Sequence, residues 1–395
     1  MLTVDEARAR IIAAFKPLQT ETIALGDADG RVLAADAKAK LSQPPFPVSA
    51  MDGYAVRAQD AQNAVTLRII GAAPAGHPFA GRVGAGEAVR IFTGGVVPDG
   101  ADAIVIQEYT TADATHVTLQ QPAQVARHIR RAGLDFAAGD VLAAAGKRLS
   151  PRDLSLLAAG DIAEVSVRRR PRVAFIATGD ELSRPGELRK PGGIVASSGF
   201  GLSAMIARWG GEAIDLGLLP DTVEAFSELH EKARGADLLI TLGGASVGDH
   251  DLVQRALAPK GFALDFWKIA MRPGKPLIFG HLQQMPFLGL PGNPVSTLVC
   301  ALLFVRPAIA AMLGTADGTH IVSARLATPL STNDARQDYI RARIIVRDGE
   351  LWAEPSTVQD SSMLSVFAAA DALILRAPHA PAAEAGDKVE ILLLD

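Results

Sequence analysis

Residues 172–181 read Arg172-Val173-Ala174-Phe175-Ile176-Ala177-Thr178-Gly179-Asp180-Glu181, an apolar run that passes straight into a glycine and two carboxylates. Two later stretches repeat the plan. Asp237–Leu242 ends in Gly243-Gly244-Ala245-Ser246, and Pro286–Leu290 ends in Pro291-Gly292-Asn293-Pro294. None of the three alternates apolar and polar residues, which is the pattern of strands buried on both faces. Helical segments are expected between them, near Gly201–Trp209 and Val223–Arg234, and a long helical run extends to about Met312. Strands separated by helices predict an α/β domain on a parallel sheet. Ligands then bind beyond the carboxyl ends of the strands.

Working outward, the flanks read differently. Thr3 and Glu6 form a capping box, and Ala7, Ile11, Ile12 and Phe15 recur at helical spacing until Pro17. A second helix start is Ser150-Pro151-Arg152-Asp153, with Gly160 as its C-terminal glycine. Between them lie the short strand-like runs Val65–Ile70, Ala88–Phe92, Ala103–Gln107 and Val117–Leu119, broken by glycine and proline. That is a β-rich domain inserted into another, with Pro44, Pro45 and Pro47 near its boundary. Beyond residue 320, Ile321–Leu326, Tyr339–Val346, Leu351–Glu354, Ala372–Leu375 and Lys388–Leu394 are strand candidates. Asp348-Gly349 is a hairpin turn signal, and a small barrel or sandwich is expected.

Bulk properties narrow the class. The chain has 395 residues, too long for one ordinary core. Hydrophobic residues make up 49% and charged residues 21%, a globular balance. A formal net charge of −4 disfavours nucleic acid or an anionic membrane as the main partner. Cys300 is the one cysteine and sits in an apolar run, so it reads as core rather than nucleophile. The N-terminus has no basic region followed by an apolar one, so no signal peptide is expected. No stretch of about 18 apolar residues is found, so no spanning helix is expected, and a cytoplasmic enzyme is the default.

The strand-end loops carry the chemistry. The two carboxylates of Thr178-Gly179-Asp180-Glu181 suit Mg²⁺, ligand amino groups or general-base work; a capping Asp with a solvated Glu is the plainer alternative. Gly243, Gly244 and Ser246 can cradle a phosphate, with Asp249 and Asp251 placed for a metal, although glycine-rich connections are common. Pro291-Gly292-Asn293-Pro294 precedes a helix, where free N–H groups favour an anion; it serves equally well as a simple helix start. Lys268, Arg272 and Lys275 suit an oxyanion, or a solvated basic loop. Arg130-Arg131 with Asp135 is a further charged cluster, and Asp52-Gly53 alone is a turn.

Taken together these segments resemble the molybdopterin molybdenumtransferase family, which includes bacterial MoeA proteins and the E domain of gephyrin. The matching segments are Ser49–Ala55 (SAMDGYA), Phe92–Gly95 (FTGG), Gly100–Glu108 (GADAIVIQE), Thr178–Leu182 (TGDEL), Gly243–Asp251 (GGASVGDHD), Arg272–Pro276 (RPGKP) and Gly289–Ser296 (GLPGNPVS). They stand in the family's order and spacing along nearly the whole chain.

The resemblance implies four domains. These are an elongated helical domain from residues 1–40 and 139–169, an inserted β-rich domain over 41–138, an α/β molybdopterin-binding domain over 170–320 and a C-terminal β-barrel over 321–395. It implies a homodimer. The implied substrates are adenylylated molybdopterin and molybdate, the products molybdenum cofactor and AMP, and the cofactor Mg²⁺. Contact with molybdopterin adenylyltransferase and apo-molybdoenzymes follows from the same likeness.

By position in the family motifs, Asp52, Thr93, Asp135, Glu181, Asp221 and Asp251 are the expected catalytic residues, with Glu181 and Asp251 toward the metal. Lys268, Arg272, Lys275, Arg341 and Ser361 are expected near the anion, in a site shaped by Pro291 and Pro294. Arg272 stands where the family usually has lysine, which keeps the charge and changes the geometry. Ala245 stands where valine is common. Molybdopterin adenylyltransferase resembles only residues 170–320, and the remaining domains argue against that activity. A scaffold is the other alternative, and turnover separates it from an enzyme.

Overall fold

The computed structural model describes residues 1–394 except 245–246, and for 245–251 no side chain is described. The chain divides into two compact units, residues 22–166 and residues 1–21 with 167–395.

Helix α1 (Val4–Ala13) opens on its capping box: Glu6 N donates to Thr3 Oγ1 at 3.2 Å, and Thr3 N donates to Glu6 Oε2 at 2.8 Å. Val4, Ala7 and Ile11 form its buried stripe. The helix belongs to the unit of residues 167–395, where Arg10 pairs with Asp265 at 2.8 Å and Ala270 N donates to the Leu2 carbonyl at 2.8 Å.

Residues 22–166 are built on a six-stranded sheet. Its strands are β1 (Gly53–Val56), β2 (Thr66–Ala73), β3 (Glu87–Ile91), β4 (Ala103–Ile106), β5 (Thr110–Ala112) and β6 (His116–Leu119), in the order β4-β1-β3-β2-β6-β5. Alternation splits its side chains between two cores: Val56, Leu67, Val105 and Leu119 in one, Ala55, Val89, Ile91 and Ile104 in the other. The chain enters and leaves along a ribbon, Ala37–Lys38 against Val141–Ala143, with bridges Val32 to Arg148 and Gln43 to Phe136. Those arms are ribbon where a helical domain is expected. Val32, Leu33, Ala37 and Ala39 are buried, and the returning arm continues into α2 (Pro151–Ala159).

In the other unit the α/β layer comprises β7 (Arg172–Thr178), α3 (Ser198–Arg208), β8 (Glu212–Leu219), α4 (Val223–Ser227), α5 (Leu229–Lys232), β9 (Leu238–Leu242), α6 (Val247–Leu257), β10 (Phe262–Trp267), β11 (Ile278–Leu282) and β12 (Met285–Leu290). The sheet runs β8-β7-β9-β12-β11-β10. Its first four strands are parallel, and β9 is buried at every position. These four form the expected parallel sheet, and β11 and β10 extend it as antiparallel strands. Only Gln283 and Gln284 separate β11 from β12, and so short a connection can join only antiparallel strands.

Helix α7 (Pro294–Cys300) continues through a π-helical turn at Ala301–Val305 into α8 (Arg306–Leu313). The whole, Pro294–Leu313, is 20 residues long and apolar enough to cross a membrane by composition, contrary to the sequence reading. Its most apolar window is 89% buried inside the protein, as the spine of the α/β layer. α1 packs on α8.

In the C-terminal part, β13 (Ile321–Leu326), β14 (Gln337–Arg347), β15 (Glu350–Pro355), β16 (Ala372–Arg376) and β17 (Lys388–Leu393) run β14-β15-β13-β17-β16, and the short strand Met271–Arg272 pairs with β14. Pairing of β16 back onto β14 closes a five-stranded barrel around Leu326, Ala342, Ala353, Ile374 and Ile391. Asp348 and Gly349 join β14 to β15 with φ of 51° and 79°, a two-residue hairpin turn.

Candidate active site

Strands β7, β9 and β12 end side by side, so their loops converge on one cavity of about 540 Å³. It is lined by Thr178 at the end of β7 and Glu181 after it, Asp221 after β8, Gly243 and Gly244 after β9, and Pro291, Gly292, Asn293 and Pro294 after β12. The carboxylate loop and the anion loops therefore face the same space. Glu181 folds back over Gly179, where a Cβ would lie 2.6 Å from Glu181 Oε2. Gly243 has φ 99°, and a Cβ there would lie 2.9 Å from the Thr178 carbonyl oxygen. Thr178 Oγ1 is buried with no hydrogen-bond partner among the described residues, a donor held at the cavity wall. Ser246 lies outside the described residues. Of Asp251 only the backbone is described, in the second turn of α6.

The wall formed by α7 is tied to the barrel. Asn293 Nδ2 donates to Ser361 Oγ at 2.9 Å, and Val295 N donates to the Ser361 carbonyl at 3.1 Å. Thr297 Oγ1 donates to the Pro291 carbonyl at 2.6 Å, which fixes the turn before the helix. Ser361 thus sits at the start of α7, where helix N–H groups attract anions. Arg341, on β14, is 1% exposed. Its backbone N donates to Gln359 Oε1 at 3.0 Å, but its three guanidinium nitrogens have no hydrogen-bond partner among the described residues. Burial pushes its pKa below the usual guanidinium value, against the pull of Asp338 and Asp360. A buried cation without a partner is costly.

The basic loop divides into three fates. Arg272 lies beside the barrel: it bonds Asp338, and its Nη1 lies 3.3 Å from Asp334. Asp338 is itself 8% exposed, and its bond to Arg272 holds the guanidinium charged. Lys268 Nζ lies 3.6 Å above the Trp267 ring. Lys275 is exposed and adjoins Pro276, which lines the cavity. The structure thus separates three cations that the sequence grouped.

In the unit of residues 22–166, Asp52 and Thr93 come together. Asp52 Oδ1 accepts from Thr93 N at 2.7 Å and from Thr93 Oγ1 at 2.9 Å. These donors hold its carboxyl below the usual range. Gly94 N donates to the Ser49 carbonyl at 2.9 Å, so Ser49–Ala55 and Phe92–Gly95 form one corner. Asp135 is exposed on a loop, with its backbone N on the Gln43 carbonyl.

Comparison with known proteins gives three consecutive family matches. Residues 2–160 match "MoeA N-terminal region (domain I and II)", 174–311 match "Probable molybdopterin binding domain" and 323–394 match "MoeA C-terminal region (domain IV)". The chain is 38% identical over 399 residues to a molybdopterin molybdenumtransferase of Haemophilus influenzae, covering 99% of this chain and 98% of that one. The chain belongs to the molybdopterin molybdenumtransferase family. It is a transferase of molybdenum cofactor biosynthesis. A Bacillus subtilis molybdopterin molybdenumtransferase is 34% identical, with 100% of this chain and 94% of that one covered. The solved molybdopterin biosynthesis MoeA protein of Pyrococcus horikoshii superposes with a TM-score of 0.86 at 31% identity, over 100% of this chain and 99% of that one.

Several polar residues of this molybdenumtransferase's cavity escaped the sequence reading, among them Thr178, Ser197, Ser198 and Ser362. Thr178 stood inside a quoted motif, but a threonine ending a strand reads as strand until its hydroxyl is seen without a partner. Ser362 reaches the cavity from the loop after β15, far in sequence from the other walls, and no local pattern marks it.

Proposed function

We propose that this enzyme takes adenylylated molybdopterin and molybdate, inserts molybdenum at the dithiolene sulfurs, where two Mo–S bonds form as one molybdate oxygen leaves as water with the two thiol protons, and hydrolyses the pyrophosphate bond. Water adds at phosphorus, the bridging P–O bond breaks and AMP leaves. The observation that carries this reading is the single cavity in which the Glu181 and Asp221 carboxylates face the Gly243-Gly244 loop and the start of α7. A pyrophosphate and an oxyanion need those two kinds of wall. Arg341 supports the oxyanion half: its unpaired guanidinium would be matched by a dianion reaching it past Ser361.

The reading includes Mg²⁺. No three described His, Cys, Asp or Glu side chains are placed to hold a metal by themselves. Two carboxylates at one cavity suit an ion that keeps waters and takes phosphate oxygens as further ligands. Glu181 and Asp221 would hold it, with Asp251 as the further carboxylate from the family motif. Bound there, the ion would neutralise phosphate charge. Asp52, Thr93 and Asp135 are assigned to catalysis, and Gly243, Gly244, Ser246, Lys268, Lys275, Pro291, Gly292, Asn293, Pro294 and Ser361 to substrate. Arg272 holds the barrel and acts through it. The reading also includes a homodimer, a cytoplasmic setting, and exchange with molybdopterin adenylyltransferase and apo-molybdoenzymes.

The test is reconstitution. Purified protein, adenylylated molybdopterin, molybdate and Mg²⁺ should activate an apo-molybdoenzyme, and Glu181→Gln should need more Mg²⁺ to do so. Binding of the pterin substrate with no activation under any condition would leave a carrier or scaffold instead.

A further inference from the structure

Beside the cavity of Glu181 and Asp221 lies a second one, of about 210 Å³, which shares Ala177, Ala196 and Gly199 with it. It lies at the free edge of the α/β sheet, where β8 pairs only with β7. The strand register slips there. Phe175 pairs with Asp215, but Ala177 pairs with Leu218. The extra residue makes a β-bulge, a device that re-aims side chains at sheet edges. Gly217, in the bulge, has φ 91°, and a Cβ on it would lie 2.9 Å from Arg184 Nη2. Glycine therefore makes room for that guanidinium.

The bulge also aims Asp215. Its Oδ1 accepts from Gly217 N at 2.8 Å. Asp215 is exposed, so Oδ2 is open to solvent and to a ligand. Both Asp215 and Arg184 line the cavity. Its other wall is aromatic: Phe175 is buried, and Phe200, in the first turn of α3, is 65% exposed. A complete ligand of drug size fills roughly 300–1,000 Å³, so this cavity suits one ring system. An open phenyl face, a carboxylate oxygen open to a ligand and a cation select a flat heterocycle with adjacent N–H donors.

We propose that this cavity binds the pterin end of the substrate, stacked on Phe200, with its 2-amino group and N3–H donating to Asp215. The assignment rests on the molybdenum-insertion reading above. The substrate carries a pterin, planar at its 2-amino-4-oxo ring, and an adenine on either side of its pyrophosphate, and Asp215 discriminates between them. The 2-amino-4-oxo edge of a pterin offers two neighbouring donors, which a carboxylate accepts as it accepts the fork of an arginine. The N1/N6 edge of adenine offers one donor and one acceptor, and its acceptor would oppose a carboxylate oxygen.

Asp215→Asn tests the proposal. Asparagine keeps an oxygen for Gly217 N and puts a donor where Oδ2 accepts. Fluorescence titration with 6-hydroxymethylpterin, and separately calorimetry with AMP, should show pterin affinity falling about tenfold or more. AMP affinity should hold. Phe200→Ala, at an exposed position, should also weaken the pterin. With the full substrate, Asp215→Asn should raise KM for adenylylated molybdopterin and leave kcat nearly unchanged. Unchanged pterin affinity in Asp215→Asn, no pterin binding by the natural protein, or a loss of AMP instead of pterin would each overturn the assignment. The pterin titration needs no turnover. A natural protein that binds pterin through Asp215 yet never releases AMP keeps the cavity assignment and sinks the insertion reaction.

Discussion

Asn293 and Ser361 stand 68 residues apart in sequence, and Asn293 Nδ2 donates to Ser361 Oγ at 2.9 Å. Through this contact the barrel delivers a hydroxyl to the first turn of the longest helix of the α/β layer. Neither partner belongs to the other's domain, so the oxyanion end of the site depends on how barrel and α/β layer pack.

Ser361→Ala should therefore leave the fold intact, since the Ser361 carbonyl still accepts from Val295 N. Losing one side-chain hydrogen bond costs roughly 0.5–1.5 kcal/mol. The molybdate concentration for half-maximal AMP release should rise by more than that small loss of stability explains. Thermal unfolding beside a molybdate titration separates the two effects.

Arg341→Met gives a sharper contrast. Methionine removes a buried charge that has no hydrogen-bond partner among the described residues, and replacing such groups by apolar ones is often neutral or stabilising. The variant should unfold at the same temperature as the natural protein or higher. Molybdate should raise the unfolding temperature of the natural protein and not that of the variant. A strong loss of stability in Arg341→Met would mean that the guanidinium is held inside the chain after all.

Arg272 and Lys275 should separate in the same assays. Arg272→Ala strips Asp338, 8% exposed, of its charged partner. An unsatisfied buried carboxylate costs about 1–3 kcal/mol or more. Its unfolding temperature should fall with little change in molybdate dependence. Lys275→Ala, at an exposed position, should do the reverse.

Thr93 sets the acid limb. Its two donors lower the Asp52 pKa on folding. The sign follows: ionised Asp52 adds stability above its unfolded pKa of about 3.9, and that contribution is lost as pH falls through the lower folded value. Thr93→Val keeps the backbone donor and removes the hydroxyl, so the Asp52 pKa should rise toward its ordinary value. A carboxyl NMR titration reads this directly, and an unchanged midpoint would contradict it.

Much of this architecture was legible because buried parallel strands advertise themselves. Arg172–Thr178, Leu238–Leu242 and Met285–Leu290 lack alternation, and glycine-rich loops punctuate each of their ends. The pair β10 and β11 was not legible. Phe262–Trp267 has exposed residues at Ala263, Leu264 and Asp265, so its polarity follows the sheet edge and not a strand rhythm. The site loops could be picked out by residue type, but their convergence could not, since it is set by strand order. The same limit explains Arg272. Three cations within one loop look equivalent until the barrel supplies Asp338 to one of them and Trp267 stacks beneath another.

The most direct measurement is AMP release from adenylylated molybdopterin by the purified protein with Mg²⁺, with and without molybdate. Molybdate-dependent release is the predicted result. Absence of release under both conditions, from folded protein that still binds the pterin substrate, would contradict the account.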